Sequence, residues 1–129
     1  MKKIIISLTA ILLASAIWAA ETASAIPKLV DLGATKCIPC KKMAPILEEL
    51  KTQYSGIFDV EFIDVWQKEN SKQAAKYNIQ SIPTQIFLDK DGKELARHVG
   101  FISKEDILAQ WKNLGYNFEP KTALENPNK

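Results

Sequence analysis

Apolar and polar residues follow two different periods along the chain, and the places where the period changes predict its elements. Residues 29–32 form a short apolar run, which predicts a strand. From residue 41 to 54 apolar residues recur every three or four positions, which predicts a helix with one side against a core. Residues 58–64 alternate again, with Val60 and Phe62 on one side and Ile63 on the other. We predict a second, mostly buried strand there.

The second half of the chain predicts four further elements, separated by polar residues and turn signals. They are a short helix over 71–77, a strand over 85–88, a strand over 93–99 and a helix over 103–115. Asp91-Gly92 is a hairpin signal, so the last two strands are expected to pair antiparallel. Residues 116–129 are polar with two prolines, and we expect a loose tail there.

This order of elements predicts an α/β fold. Strands separated by helices favour parallel neighbours with right-handed crossovers, and the hairpin adds an antiparallel pair. We therefore expect a small mixed sheet with helices on both faces. Sheets of this kind place their chemistry at the carboxyl ends of the strands.

The N-terminal segment has the pattern of an export signal. Lys2 and Lys3 precede seventeen uncharged residues, 4–20, and small residues follow. Ala23-Ser24-Ala25 fits the small-x-small rule, so cleavage would leave a chain that begins at Ile26. The alternative is an uncleaved anchor over 1–25, although seventeen residues is at the short limit for crossing a bilayer. Both alternatives predict that the folded part is exported.

Charge and size narrow the class of protein. Removing residues 1–25 changes the 17 basic and 15 acidic residues to 15 and 14, a net charge near +1 without a basic run. This pattern gives no electrostatic footprint for nucleic acid. The remaining 104 residues suffice for one modest core, which we assign to a domain over 26–115.

Cys37 and Cys40 are the only cysteines, and four interpretations of the pair compete. As a structural cross-link they close a loop of four residues, worth roughly 2 kcal/mol against about 3 for a fifteen-residue loop. As a zinc site they are incomplete, since zinc takes about four ligands and the chain has one histidine, His98. Two inert buried thiols would need neither Pro39 nor a helix start.

A redox dithiol, the fourth interpretation, needs the features that surround the pair. The two sulfurs lie where a strand turns into a helix, and the positive end of the helix dipole stabilises a thiolate there. Lys36 and Lys41 flank the pair and are expected to lower the pKa of a cysteine thiol in the same way. The sequence therefore favours redox chemistry.

Several segments in this order resemble the thioredoxin family. Residues 30–41 are similar to its active-site segment, and residues 43–47 to the proline-containing helix that follows. Ile82-Pro83-Thr84 resembles the family's cis-proline loop, and Val99-Gly100 its late glycine. Pro39 before the second cysteine and Ile82 before the proline are closer to thioredoxin than to disulfide-oxidising enzymes.

The resemblance implies a role for each matching residue. Cys37 would be the attacking thiolate and Cys40 the resolving thiol, while Asp31 on the preceding strand would relay a proton for Cys40. Pro83, in cis, would present backbone groups to an extended substrate segment. The remaining residues implied in substrate contact are Ile38, Pro39, Ile82, Thr84 and Gly100.

The chain also departs from the family pattern. Lys36 occupies the position of a tryptophan and Ile38 that of a glycine. Only eleven positions separate Ile26 from Cys37, so thioredoxin's opening strand and helix are expected to be missing or altered. His98 is expected to be an ordinary strand residue and Trp111 a core residue. Trp66 fits either a place beside the site or one over the core.

From these observations we expect an exported, monomeric thiol–disulfide oxidoreductase that reduces disulfides in client proteins. It would need no metal and no cofactor beyond the Cys37–Cys40 disulfide. Outside the cytosol its electrons would come from a membrane dithiol carrier. The alternatives are an oxidase or isomerase that donates or reshuffles disulfides and, in a different class, a non-catalytic binding module on the same scaffold.

Overall fold

A computed structural model describes residues 26–121 and contains four strands, three α-helices and one 3₁₀ turn. In chain order these are β1 (Lys28–Gly33), α1 (Ile38–Gln53), β2 (Asp59–Asp64), the 3₁₀ turn (Lys68–Asn70), α2 (Ser71–Lys76), β3 (Thr84–Leu88), β4 (Glu94–Val99) and α3 (Lys104–Asn113). The order matches the sequence prediction, and most boundaries agree within one to three residues. The α/β fold class and the thioredoxin-like mixed sheet are confirmed.

The four strands form one sheet in the order β2-β1-β3-β4. β1 and β2 are parallel, as expected for strands joined by a helix, and β3 and β4 form the predicted antiparallel hairpin. The expectation for β3 was wrong, because β3 pairs antiparallel with β1 and is not a neighbour of β2. The connection over residues 65–83 leaves β2 and enters β3 at the same end of the sheet, since Asp64 pairs with Gly33 and Thr84 with Leu32.

Helices cover both faces of the sheet, as predicted. On one face the core is formed by apolar residues of β1 and β3 together with those of α1 and α3, among them Leu29, Met43, Phe87, Ile107 and Trp111. On the other face a smaller cluster of strand residues packs against Ala74 and Tyr77, in and just after α2. The predicted core position of Trp111 is confirmed, since this side chain has no exposed surface.

β2 corrects one detail of the predicted burial. Phe62 has 43% of its surface exposed, while Ile63 is 2% exposed and lies in the smaller core cluster. Within residues 26–121 β2 is one of the two edge strands, so its side chains on the α1 face are only partly covered. Alternation along a strand shows which residues share a face, but the position of the strand in the sheet decides how deeply each face is buried.

The packed core continues beyond the predicted domain boundary at residue 115. Phe118 stacks on Phe58 with ring centroids 5.0 Å apart, and it meets Trp111 edge-on at 5.4 Å. Tyr116 packs against Trp111 from the same segment. Residues 116–118 are therefore part of the folded domain, because two aromatic rings within a polar stretch are enough to anchor it. Residues 122–129 of the expected tail lie outside the described part.

The expectations for residues 1–25 lie outside the described residues. Between residues 26 and 121 no strand or helix precedes β1. The altered N-terminus expected from the resemblance stays a prediction. Over the same range no helix has the length and apolar character needed to cross a bilayer.

Candidate active site

The two cysteines occupy the first turn of α1, which begins three residues earlier than predicted. Cys37 is the N-cap in an extended conformation, and its Sγ accepts a hydrogen bond from the Cys40 backbone N–H at 3.3 Å. Pro39 fits the first turn because its missing N–H has no intrahelical partner there. The periodic apolar pattern starts only at Met43, so periodicity alone missed these capping residues.

Cys37 and Cys40 form a disulfide with their Cα atoms 5.2 Å apart. The two sulfurs differ in access, since Cys37 is partly exposed and Cys40 retains 3% of its surface. An incoming sulfur can therefore reach Cys37 and not Cys40. This asymmetry agrees with an attacking Cys37 and a resolving Cys40, the roles that the resemblance implied.

Cys40 lies against the backbone of β1. A side chain at Gly33 would place its Cβ 3.3 Å from both the Cβ and the Sγ of Cys40, and 3.0 Å from the Phe62 ring. Glycine at position 33 thus lets the start of α1 pack directly on the end of β1. A cleft of about 240 Å³ opens beside this contact and is lined partly by Phe62, Lys41 and Glu48.

Asp31 lies two residues before Gly33 on the same face of β1 and has no exposed surface. Its Oδ1 accepts a hydrogen bond of 2.7 Å from Nε2 of Gln85, its register partner on β3. Burial raises the pKa of the Asp31 carboxyl to about 6, and the Gln85 hydrogen bond opposes that shift. Asp31 is thus a fully buried carboxyl on the face of β1 against which Cys40 packs, and it is not exposed to solvent.

Asp64 holds the turn that leads into Cys37. Its carboxylate accepts hydrogen bonds from the Thr35 backbone N–H at 3.2 Å, the Thr35 hydroxyl at 3.0 Å and the Trp66 N–H at 3.0 Å. Burial would raise the pKa of Asp64, but these hydrogen bonds outweigh it and hold the pKa below its usual value. The sequence analysis assigned no role to Asp64, since its partners belong to two separate segments.

The loop around Pro83 lies at the same end of the sheet as the disulfide. The Ile82–Pro83 peptide bond is cis, as the resemblance implied. Leu32 and Thr84 are register partners, which places Pro83 beside the end of β1. Thr84 donates its hydroxyl to the Ser81 carbonyl at 2.7 Å, and the Gly100 N–H donates to the Pro83 carbonyl at 2.8 Å. The side chains of Pro83 and Thr84 are buried, and that of Ile82 is half-buried.

Four exposed apolar side chains, which we call the apolar rim, surround this end of the sheet. They are Ile38 at 73% exposure, Trp66 at 61%, Val99 at 59% and Phe101 at 48%. Each lies where an element begins or ends beside the site: Ile38 starts α1, Trp66 follows β2, Val99 ends β4 and Phe101 follows β4. The sequence analysis named Ile38 as a substrate contact and left Trp66 open between the site and the core, but it gave Val99 and Phe101 no contact role. Large apolar residues at a strand end and in a loop are the signal that could have indicated those two.

The structure also shows where the other residues named in the sequence analysis lie. Trp66 lies in a cleft of about 570 Å³ that it shares with Ile82, and it does not cover the core. Pro39, Lys36 and Lys41 are exposed around the disulfide. His98 is half-buried on β4, with Nε2 3.2 Å from the Phe101 carbonyl oxygen. No cluster of three metal-ligating side chains exists within residues 26–121.

Comparison with known proteins agrees with this geometry. The family model described as Thioredoxin matches residues 10–113, a match that begins inside the segment assigned to a signal or an anchor. A thioredoxin of Staphylococcus epidermidis is 50% identical over 80 residues, which cover 62% of this chain and 74% of the relative. A thioredoxin of Staphylococcus aureus is 49% identical over the same shares.

The fold, the site and these matches define the class: a mixed sheet with a redox-active disulfide at the first turn of a helix. The chain belongs to the thioredoxin family. It is accordingly a thiol–disulfide oxidoreductase whose Cys37–Cys40 pair exchanges disulfides with proteins.

Proposed function

We propose that this protein is an exported reductase of disulfides in client proteins. The observation that supports it most strongly is the asymmetry of the site: one accessible sulfur, a second sulfur sealed behind it, and a buried carboxyl group further along β1. A binding module that does no chemistry has no need of that arrangement. The similarity to proteins named thioredoxin and the Pro39 and Ile82 positions favour reduction over oxidation.

The reaction proceeds in two exchange steps. In the reduced protein the Cys37 thiolate attacks one sulfur of a client disulfide, so that a Cys37–client disulfide forms and the other client sulfur leaves as a thiolate. Cys40 then gives its proton to Asp31 and attacks the Cys37 sulfur. The Cys37–Cys40 disulfide closes and the second client sulfur leaves, so two electrons have passed from the protein dithiol to the client.

The apolar rim supplies the contact surface for clients. Ile38, Trp66, Val99 and Phe101 lie around the sulfurs, and an extended client segment can pack on them while its backbone pairs with the loop at Pro83. Lys36 replaces the aromatic residue that the family carries before the first cysteine. The apolar contact is therefore distributed around the rim, while the side of Cys37 nearest Lys36 is charged.

Client capture tests the reductase assignment. Cys40→Ser removes the resolving thiol, so the first step should stop at the mixed disulfide and clients should accumulate covalently on Cys37. Non-reducing electrophoresis and mass spectrometry of the trapped species are the measurements, and Cys37→Ser with Cys40 intact is the matched control. An empty Cys40→Ser trap, together with no reduction of insulin by the unaltered protein, would contradict this proposal and favour the binding module.

The reduction potential separates a reductase from a disulfide donor. Lys36 and Lys41 flank the pair and stabilise a thiolate, which is the observation that favours the oxidase alternative. Potentials on this fold run from about −270 mV for thioredoxin to about −120 mV for a strong periplasmic oxidant. Equilibration against defined thiol buffers should give a value near the lower end. A value near −120 mV would make this protein a disulfide donor.

Export is proposed from residues 1–25, and its consequence is a separate electron source. A reductase outside the cytosol must be re-reduced, and a membrane protein that presents a dithiol has the matching chemistry. Mass spectrometry of the protein from fractionated cells should find a chain that begins at Ile26, or an intact chain in the membrane fraction. A full-length protein in the cytosolic fraction would contradict export and leave the reductase proposal unaffected.

A further inference from the structure

Asp31 and Gln85 form an isolated polar pair within the sheet. Neither residue has exposed surface, and they share one hydrogen bond, Nε2 of Gln85 to Oδ1 of Asp31 at 2.7 Å. The second oxygen of each group, Oδ2 of Asp31 and Oε1 of Gln85, has no partner among the described residues. Buried polar atoms in native proteins are nearly always paired, so an orphan oxygen on each side requires an explanation.

The direction of the sheet connects this pair to the disulfide. Asp31 and Gly33 are two residues apart on the same face of β1, a separation of about 7 Å along the strand. Cys40 Sγ lies 3.3 Å from the Cβ position of Gly33. The buried sulfur and the buried carboxyl are therefore neighbours on one face, a distance that a side-chain movement or one water molecule can bridge.

The other ionisable groups around Asp31 have partners of their own or lie at the surface. Phe62, the β2 neighbour of Asp31, carries no charge. On α1, Lys41 and Glu48 line the outer cleft, and at the end of β2 Asp64 is engaged by Thr35 and Trp66. On β4, His98 is the register partner of Gln85 and lies close to the Phe101 carbonyl. Burial and the Gln85 amide are thus what set the affinity of Asp31 for a proton.

We propose that Gln85 is a positioning residue that holds Oδ1 of Asp31 and leaves Oδ2 to take the proton of the Cys40 thiol. The proposal deepens the proposed reductase function and rests on it. When Cys40 attacks the mixed disulfide, its S–H bond breaks, the proton moves to Oδ2, and the electron pair on sulfur forms the new S–S bond. The Gln85 N–H stabilises the carboxylate before the transfer and fixes which oxygen accepts.

The test removes the amide donor and follows Asp31 directly. Gln85→Leu and Gln85→Met keep a side chain of similar size without an N–H, and the full-length protein is used in reduced form. Carbon-13 NMR of the Asp31 carboxyl should show its titration midpoint rising by about one pH unit in both variants. Single-turnover reduction of insulin, measured from pH 5 to 9, should slow by roughly fivefold near pH 6, approach a tenfold loss at pH 5 and recover at higher pH.

Two further variants separate positioning from a structural role. Ile86→Val alters the next residue of β3 on the opposite face and should leave the pH profile unchanged. In an Asp31→Asn background, Gln85→Leu should produce no further loss of rate. The inference is overturned if the Asp31 midpoint stays in place in both Gln85 variants, if it moves without a change of rate, or if Asp31→Asn keeps the wild-type profile. Inability of the unaltered protein to reduce insulin would instead overturn the reductase proposal itself.

Discussion

At the scale of single residues, the strongest perturbation in the described chain is at Asp31. Burial raises the pKa of this carboxyl from 3.8 to about 6, although the Gln85 hydrogen bond acts in the opposite direction. The folded pKa lies above the unfolded one, so the folded state binds the proton more tightly. The contribution of Asp31 to stability is therefore fully present below about pH 4 and is lost as the pH rises through about 6.

Asp31→Asn should stabilise the oxidised protein at alkaline pH. Asparagine can still accept the Gln85 hydrogen bond but never becomes charged, so the cost of burying a carboxylate disappears. We expect a gain of about 2–3 kcal/mol at pH 8 that shrinks toward zero at pH 4. Urea unfolding of both proteins at the two pH values measures it. An equal difference at pH 4 and pH 8 would show that Asp31 does not titrate in this range.

Gly33→Ala should disturb the contact between β1 and α1. The new methyl group would lie 3.0 Å from the Phe62 ring and 3.3 Å from Cys40, so one of them must move. We expect a loss of about 1–3 kcal/mol in the free energy of unfolding. Because the half-exposed Phe62 ring is the nearer obstacle, adding Phe62→Leu should recover part of the loss. Strictly additive losses in the double variant would mean that Phe62 is not the obstacle.

At the scale of elements, the sequence predicted the helices and strands but misplaced the start of α1 and the end of the domain. The order and type of the elements follow from apolar spacing and turn residues. The start of α1 was placed too late, because Cys37 and Pro39 begin the helix through capping and backbone geometry and contribute nothing to an apolar stripe. The end of the domain was placed too early, because Tyr116 and Phe118 pack on aromatic rings that lie far away in the sequence or on α3.

Phe118→Ala should show that residues 116–118 are part of the domain. The substitution removes a ring that stacks on Phe58 and meets Trp111 edge-on. Because Phe118 is only half-buried, water can fill part of the space that the ring leaves. We expect a loss of about 1–3 kcal/mol, measured by thermal or urea unfolding. Asn117→Ala, at the exposed neighbouring position, should change stability by less than about 0.5 kcal/mol. Equal stability of Phe118→Ala and wild type would contradict this.

At the scale of the whole molecule, two positive charges lie at the redox end of the sheet, where they act on the disulfide. Lys36 and Lys41 are exposed on either side of the pair. Positive charge favours the thiolate and therefore the reduced form, which makes the disulfide more oxidising.

Replacing both lysines with glutamine should make the Cys37–Cys40 couple more reducing. We expect the potential to fall by roughly 10–20 mV at low salt and by less at high salt, since both charges are exposed. Lys93→Gln, on the hairpin at the opposite end of the sheet, is the matched control and should leave the potential unchanged. A potential that does not respond to the double replacement would show that the helix dipole and backbone set it without the lysines.

The sequence by itself determined the order of the elements, the redox pair at a strand-to-helix junction and the family. These depend on neighbouring residues: apolar period, caps, turn signals and motif spacing. Only the tertiary structure decided that β3 pairs antiparallel with β1 and that the missing side chain of Gly33 leaves room for Cys40. It also decided that the amide of Gln85 holds the carboxyl of Asp31, two residues 54 positions apart. Contacts of this kind depend on strand register and on what covers each face, and both are fixed only when distant segments pack together.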